Sequence, residues 1–273
     1  MEKKKKRIII ASCLVGVMVL LLLLSSAVFK IRSVSVEDQT RLTYLNKSML
    51  NDMIQNAELP IGSSIFFARF DDNVKAMEKA HPYVKINDIE RKFPGDVVVY
   101  VSERVPVVKI KSGAKTFVLD SDLKILNVAE NNVGFITETA EQDVPELILG
   151  NNLKMNIDFS ALSAGDFIVG QDKLKEYVWS FYHGAVFSAN GSPEALSCIT
   201  TLNSITIDYV PELEKVAFYI DYKGTTITST IEGETELVDV IYKVVTAVRE
   251  RSSYSNVDYI NSKDGIIYEG KIL

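Results

Sequence analysis

Disulfides and metal sites have little to work with in this chain, whose 273 residues include two cysteines and two histidines. Cys13 lies in an apolar run near the start and Cys198 far from it, so no intramolecular disulfide is expected. His81 and His183 have no Cys or His at a metal-ligand spacing, which leaves a zinc site unsupported and makes both expected surface or cap residues. No glycine-rich phosphate loop occurs, and no repeat or low-complexity tract lies between Ile31 and Leu273. Serine–lysine chemistry is poorly served as well. Ser112-Gly113-Ala114-Lys115 and Ser121-Asp122-Leu123-Lys124 match S-x-x-K, but both fall in expected hairpin turns, whereas that chemistry sets Ser and Lys one turn apart at a helix start. The companion K-T-G is missing, because Lys223-Gly224-Thr225 has another order. The paired acids Asp71-Asp72, Asp120 with Asp122, and Glu232 with Glu234 and Glu236 sit at expected helix starts or turns, where solvated caps explain them better than an acid–base pair. The sequence implies no catalytic centre, no metal and no cofactor.

What is present begins at the first residues. Lys3, Lys4, Lys5, Lys6 and Arg7 run into an uncharged apolar stretch from Ile8 to Phe29. About twenty apolar residues in a helix cross the hydrocarbon core, and flanking basic residues favour the cytoplasmic side. The expectation is a cytoplasmic tail over 1–7, a single transmembrane helix over 8–29 and an exported remainder. Ser25 and Ala27 leave a cleaved signal peptide as the alternative, but this apolar core exceeds the usual ~7–15 residues of such peptides. Of 30 basic and 36 acidic residues, seven basic and one acidic lie in the first 32, so the remainder carries 23 against 35, a net charge near −12. That balance disfavours nucleic acid or anionic lipid as a partner.

Beyond the span, Ile31 to Val36 alternates as a short strand. Asn46 can cap a helix with Met49, Leu50, Met53, Ile54 and Ala57 on one face, ended by Pro60 and Gly62, and a second helix opens at Asp71 and stops before Pro82. Strands Val84 to Lys92 and Val97 to Glu103 flank the turn Phe93-Pro94-Gly95-Asp96. This βααββ order is expected to form one α+β unit over 31–105. After Pro106, short strands (Val107 to Lys111, Thr116 to Leu119, Lys124 to Val128) suggest a meander. Asn151 to Gly170 shows no period of either kind. A helix near 172–187 carries Leu174, Tyr177, Val178, Phe181 and Tyr182 as an apolar stripe, with Trp179 beside it in an expected packing role and a partially exposed binding aromatic as the alternative. Strands follow around Ile205 to Tyr209, Val216 to Tyr222 and Thr225 to Ile231, then a helix near 236–251 and short strands at Val257 to Ile260 and Ile266 to Glu269. The region 106–273 is thus expected to be a mostly antiparallel β domain with flanking helices.

Several motifs carry a family resemblance: Leu59-Pro60-Ile61-Gly62 with Ile65-Phe66, His81-Pro82-Tyr83-Val84, Ile89-Glu90-Arg91-Lys92-Phe93-Pro94, Val99-Tyr100-Val101-Ser102-Glu103-Arg104-Val105-Pro106, Phe117-Val118-Leu119-Asp120 and Val144-Pro145-Glu146-Leu147-Ile148-Leu149-Gly150. In these the chain resembles the cell-division family FtsQ/DivIB, with its POTRA domain followed by a β domain. Gly62, Pro82, Arg91, Pro94, Glu103, Arg104 and Pro106 are then structural motif residues. Glu103 and Arg104 are expected to pair with Arg91 and Glu90 on the neighbouring strand.

The resemblance implies a non-enzymatic scaffold at the division septum, binding FtsB/DivIC-type and FtsL-type membrane proteins and so regulating septal wall synthesis. It places the partner site at the end of the β domain, here Val257, Tyr259, Ile260, Ile266, Ile267, Tyr268, Glu269 and Gly270. Strand addition at a sheet edge is the physical means. Another exported POTRA-bearing assembly factor, in secretion or sporulation, is the alternative reading, and a cell-wall hydrolase a third.

Overall fold

The computed structural model describes residues 12–19, 28–39, 59–130, 143–153, 155–188, 202–222, 225–231, 259–263 and 266–270. The basic tail 1–7, the helix expected from Asn46 and that expected near 236–251 lie outside the described residues. Of the expected span, residues 12–19 are described and helical. Among the described residues no helix is long and apolar enough to cross a membrane. The fold is α+β with mixed sheets, in two compact units, Met1–Glu103 and Arg104–Leu273.

The first unit has strand β1 (Ser33–Asp38), helix α1 (Asp71–Ala80) and strands β2 (Val84–Lys92) and β3 (Asp96–Glu103). The sheet order is β1-β3-β2, with β1 parallel and β2 antiparallel to the central β3. Val97, Val98, Val99 and Val101 of β3 are all buried, and Val97, Val99 and Val101, which share one face, join the core. Asp71 and Asp72 open α1 and Lys79 lies in its last turn, each at the end its charge suits. The helix buries Met77 and ends at His81, just before Pro82. Its core partners include Ile31, Leu59, Ile65, Phe70 and Val84.

Two glycines are required here. Gly62 has φ +85, a left-handed conformation costly for any residue with a Cβ, and its N–H donates to the Ile31 carbonyl at 2.9 Å. At Gly95, in the turn after the cis Phe93–Pro94 bond, a Cβ would stand 2.5 Å from the Lys30 carbonyl oxygen. The close approach lets Arg32 N–H donate to the Gly95 carbonyl at 2.7 Å, which ties the start of β1 to the β2–β3 turn.

The second unit is built on a nine-stranded sheet. Its strands are β4 (Val108–Ser112), β5 (Lys115–Leu119), β6 (Ile125–Glu130), β7 (Glu146–Leu149), β8 (Ser204–Val210), β9 (Lys215–Tyr222), β10 (Thr225–Ile231), β11 (Tyr259–Lys263) and β12 (Ile266–Gly270), in the order β12-β11-β10-β9-β8-β7-β4-β5-β6. The hairpins are antiparallel, while β4–β7, β7–β8 and β10–β11 are parallel, so the sheet is mixed. Helix α2 (Asp172–Ser188) buries Leu174, Val178 and Phe181 in the same core as Phe117, Leu119, Ile205, Ile207, Phe218 and Ile220. Full burial of each such side chain contributes roughly 1.5–3 kcal/mol. Tyr177 packs edge-on to Phe218, with ring centroids 5.5 Å apart.

Asn151 to Gly170 follows neither a helical nor a strand period because it is an irregular cover. Leu153, Met155, Ile157, Phe159 and Leu162 pack along it against the core, with one short 3-10 turn at Phe159–Ala161.

A candidate partner-binding edge

A sheet ends where a strand has one neighbour, and among the described residues the nine-stranded sheet ends at β6 and β12. The β6 end is partly covered. Ile125 N–H donates to the Asp166 carbonyl at 2.8 Å, Gly165 N–H to the Ile125 carbonyl at 2.8 Å, and Lys124 bridges to Phe167. At the other end β12 pairs antiparallel with β11, and β11 pairs parallel with β10. Of the residues expected to take a partner, Tyr259 and Ile260 therefore lie on a strand flanked on both sides, and Ile266 to Gly270 form the edge strand itself. Val257 lies outside the described residues.

The register decides which backbone groups of β12 face outward. Lys263 is opposite Ile266, Ser262 opposite Ile267, Asn261 opposite Tyr268, Ile260 opposite Glu269 and Tyr259 opposite Gly270. Two residues separate the strands, so the flanking pair Lys263–Ile266 is a hydrogen-bonded pair and such pairs alternate from there. Ile266, Tyr268 and Gly270 then spend their N–H and C=O groups on β11. Ile267 and Glu269 direct theirs away from it, one repeat apart, the spacing an added strand needs. The sequence Ile266-Ile267-Tyr268-Glu269-Gly270 carries a single acidic residue and no proline. That is weak protection for an edge, compared with β2, which mixes Lys85, Asp88, Glu90, Arg91 and Lys92 and has a bulge between Ile86 and Asp88.

The remaining motif residues support the scaffold. Arg91 donates to the Ala68 and Phe66 carbonyls at 2.8 and 3.3 Å and lies 5.5 Å from the Phe70 ring centroid. Glu90 accepts from the Tyr100 hydroxyl at 2.7 Å. The expected pairing of Glu103 and Arg104 with these two residues is corrected by the register. Glu103 stands opposite Val84, whereas Arg91 stands opposite Val97, six residues or about 20 Å along β3. Arg104 belongs to the second unit, where it is buried and ion-paired with Asp120 at 2.6 Å and with Asp122 at 3.4 Å. Pro106 is buried at the entry to β4.

Asp120 is a second correction, because it is a buried acid and not a solvated turn residue. Its Oδ1 accepts from the Asp122 and Lys124 N–H groups at 2.9 and 2.8 Å, which fixes the β5–β6 turn. Burial pushes its carboxyl above the ordinary value, while the charge and hydrogen bond of Arg104 and the Lys124 N–H pull against that rise. The Phe167 ring stacks near both cations, 5.5 Å from the Arg104 guanidinium carbon and 4.9 Å from Lys124 Nζ. The only sequence signal for this cluster was Asp120 itself, standing at the end of an apolar strand. Trp179 also departs from expectation. It is 42% exposed on α2 and lies over His183 with ring centroids 3.9 Å apart.

The S-x-x-K matches sit where hairpin turns put them. Ser112 and Lys115 are opposed across the β4–β5 turn, and Lys124 is buried beneath Phe167.

No protein-family model matches the chain. It is 30% identical over 110 residues to the cell division protein DivIB of Clostridium acetobutylicum, covering 39% of this chain and 40% of that protein. To the cell division protein DivIB of Clostridium tetani it is 28% identical over 104 residues, covering 38% of this chain and 36% of that protein. The matched part thus spans about two fifths of the length of these curated relatives. The resemblance drawn from the motifs is borne out by both.

Proposed function

We propose that the chain is a bitopic membrane scaffold of the bacterial division machinery, and that it takes an FtsB/DivIC-type partner by strand addition to β12 with an FtsL-type protein in the same assembly. The observation that carries this reading is the position of β12, a strand with a single charged residue that among the described residues ends the nine-stranded sheet. The similarity to DivIB proteins of two clostridia supports the division role. A scaffold requires no active site, and Asp120 and Lys124 are engaged at the β5–β6 turn, where Asp120 accepts from the Lys124 N–H and the Lys124 ammonium lies over the Phe167 ring. The apolar stretch Ile8 to Phe29 with its basic flank supports one span, with the N-terminus in the cytoplasm and both folded units outside.

The test is made in dividing cells. A fluorescent fusion is expected at mid-cell, and protease added to protoplasts should digest the exported part while sparing an N-terminal tag. A protected C-terminus would exclude the topology, and signal spread evenly over the envelope, or confined to sporulating cells, would favour another exported assembly factor.

A further inference from the structure

The first unit exposes a group of large apolar side chains on neighbouring loops: Phe67 at 86%, Ile61 at 64%, Phe93 at 56% and Phe66 at 48%. The Phe66 and Phe93 rings lie 5.1 Å apart, and Phe29 joins them at 5.1 and 6.1 Å, so three aromatics distant in sequence form one cluster. Phe29 is also the last residue of the apolar stretch read as the membrane span. It is not on a tether. Ile65 N–H donates to the Phe29 carbonyl at 2.8 Å, Ile31 N–H to the Ser63 carbonyl at 2.9 Å, and Lys30 bridges to Ser64. Arg32 adds a side-chain hydrogen bond to the Val28 carbonyl at 3.0 Å.

If Phe29 closes the span, rings held within about 6 Å of it stand at the same depth, in the interfacial zone where aromatic side chains partition favourably. We propose that Phe29, Phe66, Phe67, Phe93 and Ile61 form a platform inserted in the headgroup region of the outer leaflet, which fixes the orientation of the first unit on the membrane. The inference rests on the single-span reading above. The occupant is a lipid surface of zwitterionic headgroups, since the contact is apolar and the acidic exported chain disfavours anionic lipid.

The test uses the full chain in phosphatidylcholine proteoliposomes. Trp179→Phe removes the native tryptophan, and a single probe is then introduced as Phe67→Trp, Ile61→Trp or, for reference, Glu37→Trp, which lies four residues or about 13 Å along β1 from Ser33. Lipids brominated near the top of the acyl chain should quench the Phe67→Trp and Ile61→Trp probes at least about twofold more than the Glu37→Trp probe. Equal, weak quenching of all three in a chain that floats with the liposomes would overturn the platform and leave the span standing. A chain that does not float would overturn the span and the platform together.

Discussion

Ile267→Pro is expected to abolish partner binding and leave the fold intact, whereas Ile266→Pro, one residue away, is expected to damage the hairpin. Proline removes an N–H and adds a ring where that N–H pointed, so its effect in a strand depends on which side the group faces. Ile267 stands opposite Ser262, in a pair that does not exchange hydrogen bonds, and its N–H faces the open edge. The added ring would deny an incoming strand both a hydrogen bond and close approach, for a loss of affinity of at least about tenfold, or 1.4 kcal/mol. Ile266 stands opposite Lys263, where proline would leave the Lys263 carbonyl without its ladder donor at a cost of about 1–3 kcal/mol. Pull-down with the partner's extracytoplasmic part and circular dichroism on both variants separate the two effects. Two folded variants that bind like the parent would show that β12 is a closing strand and nothing more.

Arg104→Met should destabilise the second unit by about 3–5 kcal/mol at neutral pH, because it strands a buried carboxylate. Arg104 and Asp120 each keep 5% of their side-chain surface exposed, so water cannot replace the lost partner. The effect has a pH signature. Burial already holds the Asp120 carboxyl above its ordinary value, and loss of the adjacent guanidinium raises it further. An acid whose folded value exceeds its unfolded value of about 3.9 retains its stabilising contribution below that value and loses it as pH rises through the folded one. The deficit of the variant should therefore be small near pH 4 and widen toward pH 7. Unfolding of the full chain in detergent micelles can be followed through Trp179, the chain's one tryptophan, which lies in the same unit. Arg104→Met with Asp120→Asn should recover most of the loss, since the neutral amide needs no counter-charge and its oxygen still accepts from the Asp122 and Lys124 N–H groups. A deficit below about 1 kcal/mol, or one independent of pH, would mean that the pair is not the anchor of the β5–β6 turn.

These two cases also show what the sequence could and could not disclose. The order of the first unit was legible because its signals are local: Asp71 opens α1, Pro82 stops it, and Phe93-Pro94-Gly95 separates two strands of clear pattern. The alternation of Ile205, Ile207 and Tyr209, and of Val216, Phe218 and Ile220, likewise fixed β8 and β9 before any pairing was known. That β12 ends the sheet was less accessible, since edge status depends on the parallel pairing of β10 with β11 across a separation of about thirty residues. Asp120 was misjudged because a charge in a turn is usually solvated, and nothing nearby in sequence points to Arg104, sixteen residues earlier. Glu103 and Arg104 were misassigned for a related reason. Adjacent residues at a strand end looked like one pair, but they fall in different units. The phenylalanine cluster leaves no mark in the sequence because positions 29, 66 and 93 share no period, and backbone contacts such as the Lys30–Ser64 bridge, the Ile65 N–H to Phe29 carbonyl bond and the Gly95 approach to Lys30 bring them together.

The central claim is that backbone groups of β12 receive the partner, and amide hydrogen exchange on the full chain reports it most directly. In the free protein the Tyr268 amide should already be slowed by its pairing with Asn261, while those of Ile267 and Glu269 exchange fast. Addition of an FtsB/DivIC-type partner should slow Ile267 and Glu269 and leave Tyr268 little changed. A bound partner with fast exchange persisting at both Ile267 and Glu269 would contradict the claim.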